Sequence, residues 1–193
     1  SEKPISVSLD EADRMVAACR SHSIKFAGAD MVRNLEQVMQ ARRFMQSGEI
    51  GDLQNITMFG ATSTGGCQPA NLMRAFALDS DVEWVVGWAD CKASDSTVGE
   101  IDEWSDHDQG FAGVVQFASG AKAIVHTENL VTEPSPMKGF RVNCTKGYIE
   151  GNFTDFRMFR LREGANPGRG GPGLFDEAAC AFRRPEVKGG GRA

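Results

Sequence analysis

The chain has 193 residues, 21 Lys and Arg against 26 Asp and Glu, and a formal net charge of −5 at pH 7. That acidic balance opposes a phosphate backbone and excludes nucleic acid as a general partner. No apolar stretch approaches the roughly 20 residues that span a bilayer, so a membrane-spanning helix is excluded as well.

With 41% apolar residues the chain can bury an ordinary core. Its five cysteines are far apart and form no CxxC pair, which reads as reduced thiols in a cytoplasmic protein. From the start, Glu2-Lys3-Pro4 runs almost at once into a helix signal. Ser8 is a candidate N-cap with Glu11 three residues later, a capping-box spacing. Leu9, Ala12, Met15, Val16 and Cys19 follow on one face, and the helix is expected to end near His22. Ile24 to Gly28 reads as a short buried strand, so a helix–strand pair opens the chain. It leaves no room ahead of it for a first strand and glycine-rich turn.

A second helix is expected from Leu35 to Ser47, with Leu35, Val38, Met39 and Met45 as its stripe and Gly48 as its stop. Leu53 to Phe59 has strand composition. Gly65-Gly66 breaks the chain, Pro69 suits a first helical turn, and Ala70 to Leu78 makes a short helix. From Val82 the period becomes two. Phe111 to Phe117 and Ala121 to Thr127 flank one hairpin turn, Phe140 to Thr145 and Tyr148 to Phe153 flank another, and Phe156 to Leu161 adds a strand. The last thirty residues hold eight glycines and three prolines. A short helix over Leu174 to Phe182 is expected there, and disorder elsewhere.

The order of Glu2-Lys3-Pro4, capped helix, short strand, Arg33, helix and Gly48-Glu49-Ile50-Gly51 resembles the Gfo/Idh/MocA oxidoreductases. The runs Phe117-Ala118-Ser119-Gly120-Ala121 and Thr145 to Gly151 resemble hairpins of the same family, and the match covers roughly Glu2 to Phe153. The resemblance implies an α+β fold with an open, mostly antiparallel sheet and helices on one face. This would be preceded by the last helix–strand unit of a truncated Rossmann domain. The implied divisions are 1–30, a remnant of the dinucleotide-binding domain; 31–162, a substrate-binding and oligomerisation domain; and 163–193, a disordered tail.

The resemblance also implies a function: the substrate side of an oxidoreductase using NAD or NADP on a sugar, polyol or related hydroxy compound. The glycine-rich dinucleotide loop is not in this chain, so no cofactor is expected to bind it in isolation. Lys3 is the implied catalytic residue, approaching nicotinamide and substrate hydroxyl, where a cation stabilises developing negative charge. Arg33, between a strand and a helix, and Gln68 and Asn71, at a helix start beside Gly65-Gly66, are candidate substrate-binding residues, with an exposed arginine and helix caps as the plain alternatives. The family's Asp and His positions fall on Thr64 and Gln68. An amide can bond a hydroxyl but cannot carry its proton. That departure leaves a second reading, a catalytically silent relative serving as a small-molecule-binding or assembly module.

Three features weigh toward bland readings. The acidic run Glu100 to Asp108, with His107 inside it, matches no metal-ligand spacing and reads as a solvated loop. His126 reads as a packed histidine. Trp84 and Trp88 read as core, with an oligomer interface as the alternative. With few helices to cover the sheet, Val82, Trp84, Val86 and Trp88, joined by Phe111, Val115 and Phe117, point to a homo-oligomer built through a sheet face.

Overall fold

A computed structural model describes residues 1–3, 5–6, 8–61, 67–89, 110–128, 139–152, 156–166 and 173–178. Three helices, α1 (Leu9–Ser21), α2 (Glu36–Gln46) and α3 (Cys67–Phe76), accompany a 3-10 turn at Val32–Asn34. The strands are β1 (Leu53–Ala61), β2 (Val82–Ala89), β3 (Gly110–Phe117), β4 (Lys122–Glu128), β5 (Gly139–Cys144), β6 (Gly147–Gly151), β7 (Phe156–Leu161) and β8 (Phe175–Glu177). They form one sheet in the order β2-β3-β4-β1-β5-β6-β7-β8. Only β1 and β4 run parallel, and the other neighbours are antiparallel. The α+β fold with an open, mostly antiparallel sheet is therefore present.

Alternation along the strands sorts the residues onto two faces. Ile56, Met58, Val115, Phe117, Ala123, Val125, Val142 and Ile149 are buried on one of them, under α2 and α3. Val38, Ala41 and Met45 of α2, spaced three and four apart, complete that core with Leu72 and Phe76 of α3. At its centre three rings meet. Phe76 lies 4.9 Å from Phe140, and Phe140 lies 4.6 Å from Phe156, centroid to centroid.

Two short motifs far apart in sequence make one joint. Thr145 Oγ1 accepts the Asp52 N–H at 3.0 Å, Thr145 N–H donates to Asp52 O at 2.9 Å, and Lys146 N–H donates to Ile50 O at 2.8 Å. Gly51 turns the chain in the left-handed region (φ 73°), where a side chain would strike Thr145. Gly147 lies against Ile50 and the Phe159 carbonyl, leaving no room for a Cβ. This joint pins β1 beside β5 at the middle of the sheet.

The opposite face has two halves. Over β5 to β8 it covers itself: Arg141 lies 4.2 Å from the Tyr148 ring centroid, Tyr148 stacks on Phe159 at 4.5 Å, and Arg157 lies 4.9 Å from Phe159. Over β2, β3, β4 and β1 Trp84, Val86, Trp88, Ile124 and Phe59 are exposed, with Gln116, Lys122 and His126 on the same face.

Several expectations need correction. Ser8 is the N-cap of α1 and its carbonyl accepts the Ala12 N–H, but its side chain makes no cap bond. Ser6 instead links the two, accepting the Ser8 N–H at 3.1 Å and donating to the Glu11 carboxylate at 2.8 Å. Ile24 to Gly28 is not a strand; Ile24 is 61% exposed, and the segment is tied instead to the start of the chain. Phe175–Glu177 is an edge strand where a helix was expected, because it pairs with β7 and its acids meet Arg162 and Arg157. Trp84 and Trp88 are not core, being 45% and 68% exposed. Val115 and Phe117 do not extend their patch, since they lie buried on the helix-covered face. The run Glu100 to Asp108, Phe153 and residues 179–193 lie outside the described residues.

Candidate functional site

The chain start is held by two bonds: the Ser1 ammonium donates to Ala27 O at 3.0 Å, and Ala29 N–H donates to Ser1 O at 2.8 Å. Gly28 passes close to Ile5, where a Cβ would sit 3.0 Å from its Cγ2. Lys3 is thereby carried beside residues 27–29, half-buried, with its backbone N–H on Glu2 Oε2 at 3.3 Å. Pro4 lies outside the described residues.

Gln68 and Asn71 occupy the first turns of α3 and are half-buried, beside a buried Pro69 as the third helical residue. By helical spacing they edge one margin of the buried stripe of α3, and Ala70 edges the other. On the Ala70 side an apolar cavity of about 360 Å³ is lined by Ala70, Met73, Val85, Trp88, Val115 and Val125 together with Gly87 and Gly113.

Arg33 lies at the other end of α3. Its guanidinium meets Asp79 at 2.6 Å, and Arg42 reaches the same carboxylate at 3.0 Å. Helical rise puts Gln68 and Asp79 roughly 15 Å apart, so the structure does not gather Arg33 and Gln68 into one cluster. Leu78 and Asp79 both sit in the left-handed region (φ 53° and 61°), with Asp79 N–H bonded to Arg74 O at 3.0 Å. This two-residue turn aims the carboxylate at the arginines. Partial burial pushes the Asp79 carboxyl up, but hydrogen bonds from Arg33 and then Arg42, with their charges, outweigh it and hold it below the usual carboxylate range.

A cleft of about 340 Å³ opens beside this pair, lined by Arg33, Asn34, Met39, Arg42, Arg43 and Gln46. Sequence reasoning singled out only Arg33. Met39, Arg42, Arg43 and Gln46 recur at helical spacing along α2, which is the signal that marks them as one face. Burial pushes the Cys144 thiol up to about 11, with Asp52 adding to it, so Cys144 is no nucleophile at neutral pH. Among the described residues no group of three or more His, Cys, Asp or Glu side chains could hold a metal ion, and no helix is long and apolar enough to cross a membrane.

No family model matches the sequence, and no curated protein matches it. The fold is nevertheless one that solved oxidoreductases share. An NAD-binding oxidoreductase from Klebsiella pneumoniae superimposes with a TM-score of 0.67 at 16% identity, over 91% of this chain and 52% of its own. An inositol dehydrogenase homologue from Azotobacter vinelandii, complexed with NADH and myo-inositol, gives 0.68 at 13% identity over 92% of this chain and 48% of its own. An aldose-aldose oxidoreductase from Caulobacter crescentus, complexed with glycerol, gives 0.67 at 17% identity over 95% and 56%. The chain thus spans about half the length of the structures it matches.

Proposed function

We propose that this chain is the substrate-side part of an NAD(P)-dependent oxidoreductase acting on a sugar, polyol or related hydroxy compound. The observation that carries the reading is the joint between Gly48–Gly51 and Thr145–Gly147, which seats the motif fragments of the resemblance against one another inside the neighbours' fold. In this reading residues 1–30 belong with a dinucleotide-binding unit, 31–162 with the edge strand β8 form the substrate and oligomerisation unit, and the rest of 163–193 forms a tail.

The described residues do not fit a dinucleotide. Neither α1 nor α2 is entered through a glycine-rich turn. Asp10 and Glu11 put negative charge in the first turn of α1, which opposes a diphosphate there. NAD or NADP therefore enters only through another part of the protein, and no hydride step is derived from this chain. What its own residues supply is narrower. The Lys3 ammonium stabilises negative charge developing on a substrate oxygen. Gln68 and Asn71 bond hydroxyls, and Arg33, at the far end of α3, reaches only a polar group remote from them. Gln68 cannot move a proton. That single residue also favours the alternative of a silent relative that binds a small molecule or builds an assembly.

The half of the open face over β2, β3, β4 and β1 is proposed to be the surface of a homo-oligomer. Trp84, Val86 and Trp88 are exposed among the described residues, and self-pairing about a two-fold axis is the commonest way to bury such a patch.

Titration with a panel of polyols and aldoses, followed by saturation-transfer NMR, tests the substrate assignment. Millimolar binding that weakens roughly tenfold in Gln68→Ala and Asn71→Ala is expected, the loss of about one hydrogen bond to a buried polar group. Binding unchanged in both variants contradicts it.

A further inference from the structure

We propose that the cleft between the 3-10 turn and α2 binds a small oxyanion, a phosphate or carboxylate group. The site needs neither Lys3 nor Gln68 and shares only Arg33 with the oxidoreductase reading. Three guanidiniums, from Arg33, Arg42 and Arg43, line one cavity of about 340 Å³ with the amides of Asn34 and Gln46. In a chain with a formal net charge of −5, such a concentration of positive charge runs against the overall balance.

The arginines are ordered before any ligand arrives. Asp79 engages one terminal nitrogen of Arg33 and one of Arg42. A guanidinium has five N–H donors, so one shared carboxylate leaves most of the fork unused. The side chains of Arg33 and Arg42 are only 30% and 21% exposed. Charge-assisted bonds from such half-buried guanidiniums to an oxyanion are stronger than from fully solvated ones. Arg43 completes the set from the next position on α2. Its nearest carboxylate, Glu36, lies at 3.8 Å, beyond hydrogen-bond distance. The positive charge therefore exceeds what Asp79 and Glu36 neutralise. Arginine, with its planar fork, suits the paired oxygens of phosphate and carboxylate.

Titration of the chain with inorganic phosphate and, separately, succinate at constant ionic strength tests the proposal, read by amide chemical shifts. Saturable shifts at Asn34, Arg42, Arg43 and Gln46 with either probe are expected, and the probe that saturates tells phosphate from carboxylate recognition. Arg43→Gln, at an exposed position, should keep the fold and weaken binding roughly tenfold, and Arg42→Gln should do the same. No saturable shift with either probe at millimolar concentration overturns the site. So does binding that Arg43→Gln leaves unchanged. Because Arg42 and Arg43 have no part in the substrate-side reading, failure here leaves that reading standing, and failure of sugar binding leaves this site standing.

Discussion

Asp79 shows how one residue ties the α3 end to α2. Its carboxyl is held below its ordinary value, near 3.9 in the unfolded chain, by Arg33 and Arg42 against the opposing pull of burial. A group depressed on folding adds stability that is fully present above the unfolded value. That stability is lost as pH falls through the folded value. Asp79→Asn should therefore lower stability at pH 7 and flatten its decline below about pH 4. Urea midpoints measured at several pH values check this, and parallel curves for the two proteins would contradict it. The Leu78–Asp79 turn costs on the order of 1–2 kcal/mol per residue in the left-handed region, which fits a conformation held by the two arginine bonds.

At the scale of elements, the ring triangle of Phe76, Phe140 and Phe156 joins α3 to β5 and β7 across the core. Phe76→Ala should cost about 3–5 kcal/mol, because the fully buried ring leaves a cavity that two strands and a helix cannot close. Chemical denaturation measures it, and a loss below about 1 kcal/mol would contradict the packing. Elements specified by local chemistry were legible in the sequence. The hairpins around Ser119 and Lys146 formed as their turn residues dictate, and of the expected α2 stripe Val38 and Met45 are buried with Ala41, while Met39 lies on the cleft face. What failed depended on neighbours. Ile24 to Gly28 has strand composition but no partner strand among the described residues, and Phe175–Glu177 became a strand because β7 offered an edge and two arginines. The parallel pairing of β1 with β4 was equally hidden, since hairpin signals report only sequence neighbours. At the candidate site Lys3, Arg33, Gln68 and Asn71 were reached through the resemblance. Arg42, Arg43 and Asp79 were missed because their meaning lies in a contact spanning 37 residues between Arg42 and Asp79.

For the whole molecule, the two halves of the open face have different fates. The half over β5 to β8 is closed by its own arginine–aromatic stack, whereas the half over β2 to β4 presents two tryptophans to solvent. Sedimentation at low micromolar concentration should show a species heavier than the 20.9 kDa monomer. Trp84→Glu should dissociate it, since a charge in an apolar interface core is costly; a variant that stays assembled would move the interface elsewhere. The central claim is that this chain carries the substrate side of the reaction and not the dinucleotide side. Its most direct test is titration of the isolated chain with NADH and with NADPH, following nicotinamide fluorescence. No saturable binding in the micromolar range is predicted, and micromolar saturation by either nucleotide would contradict the account.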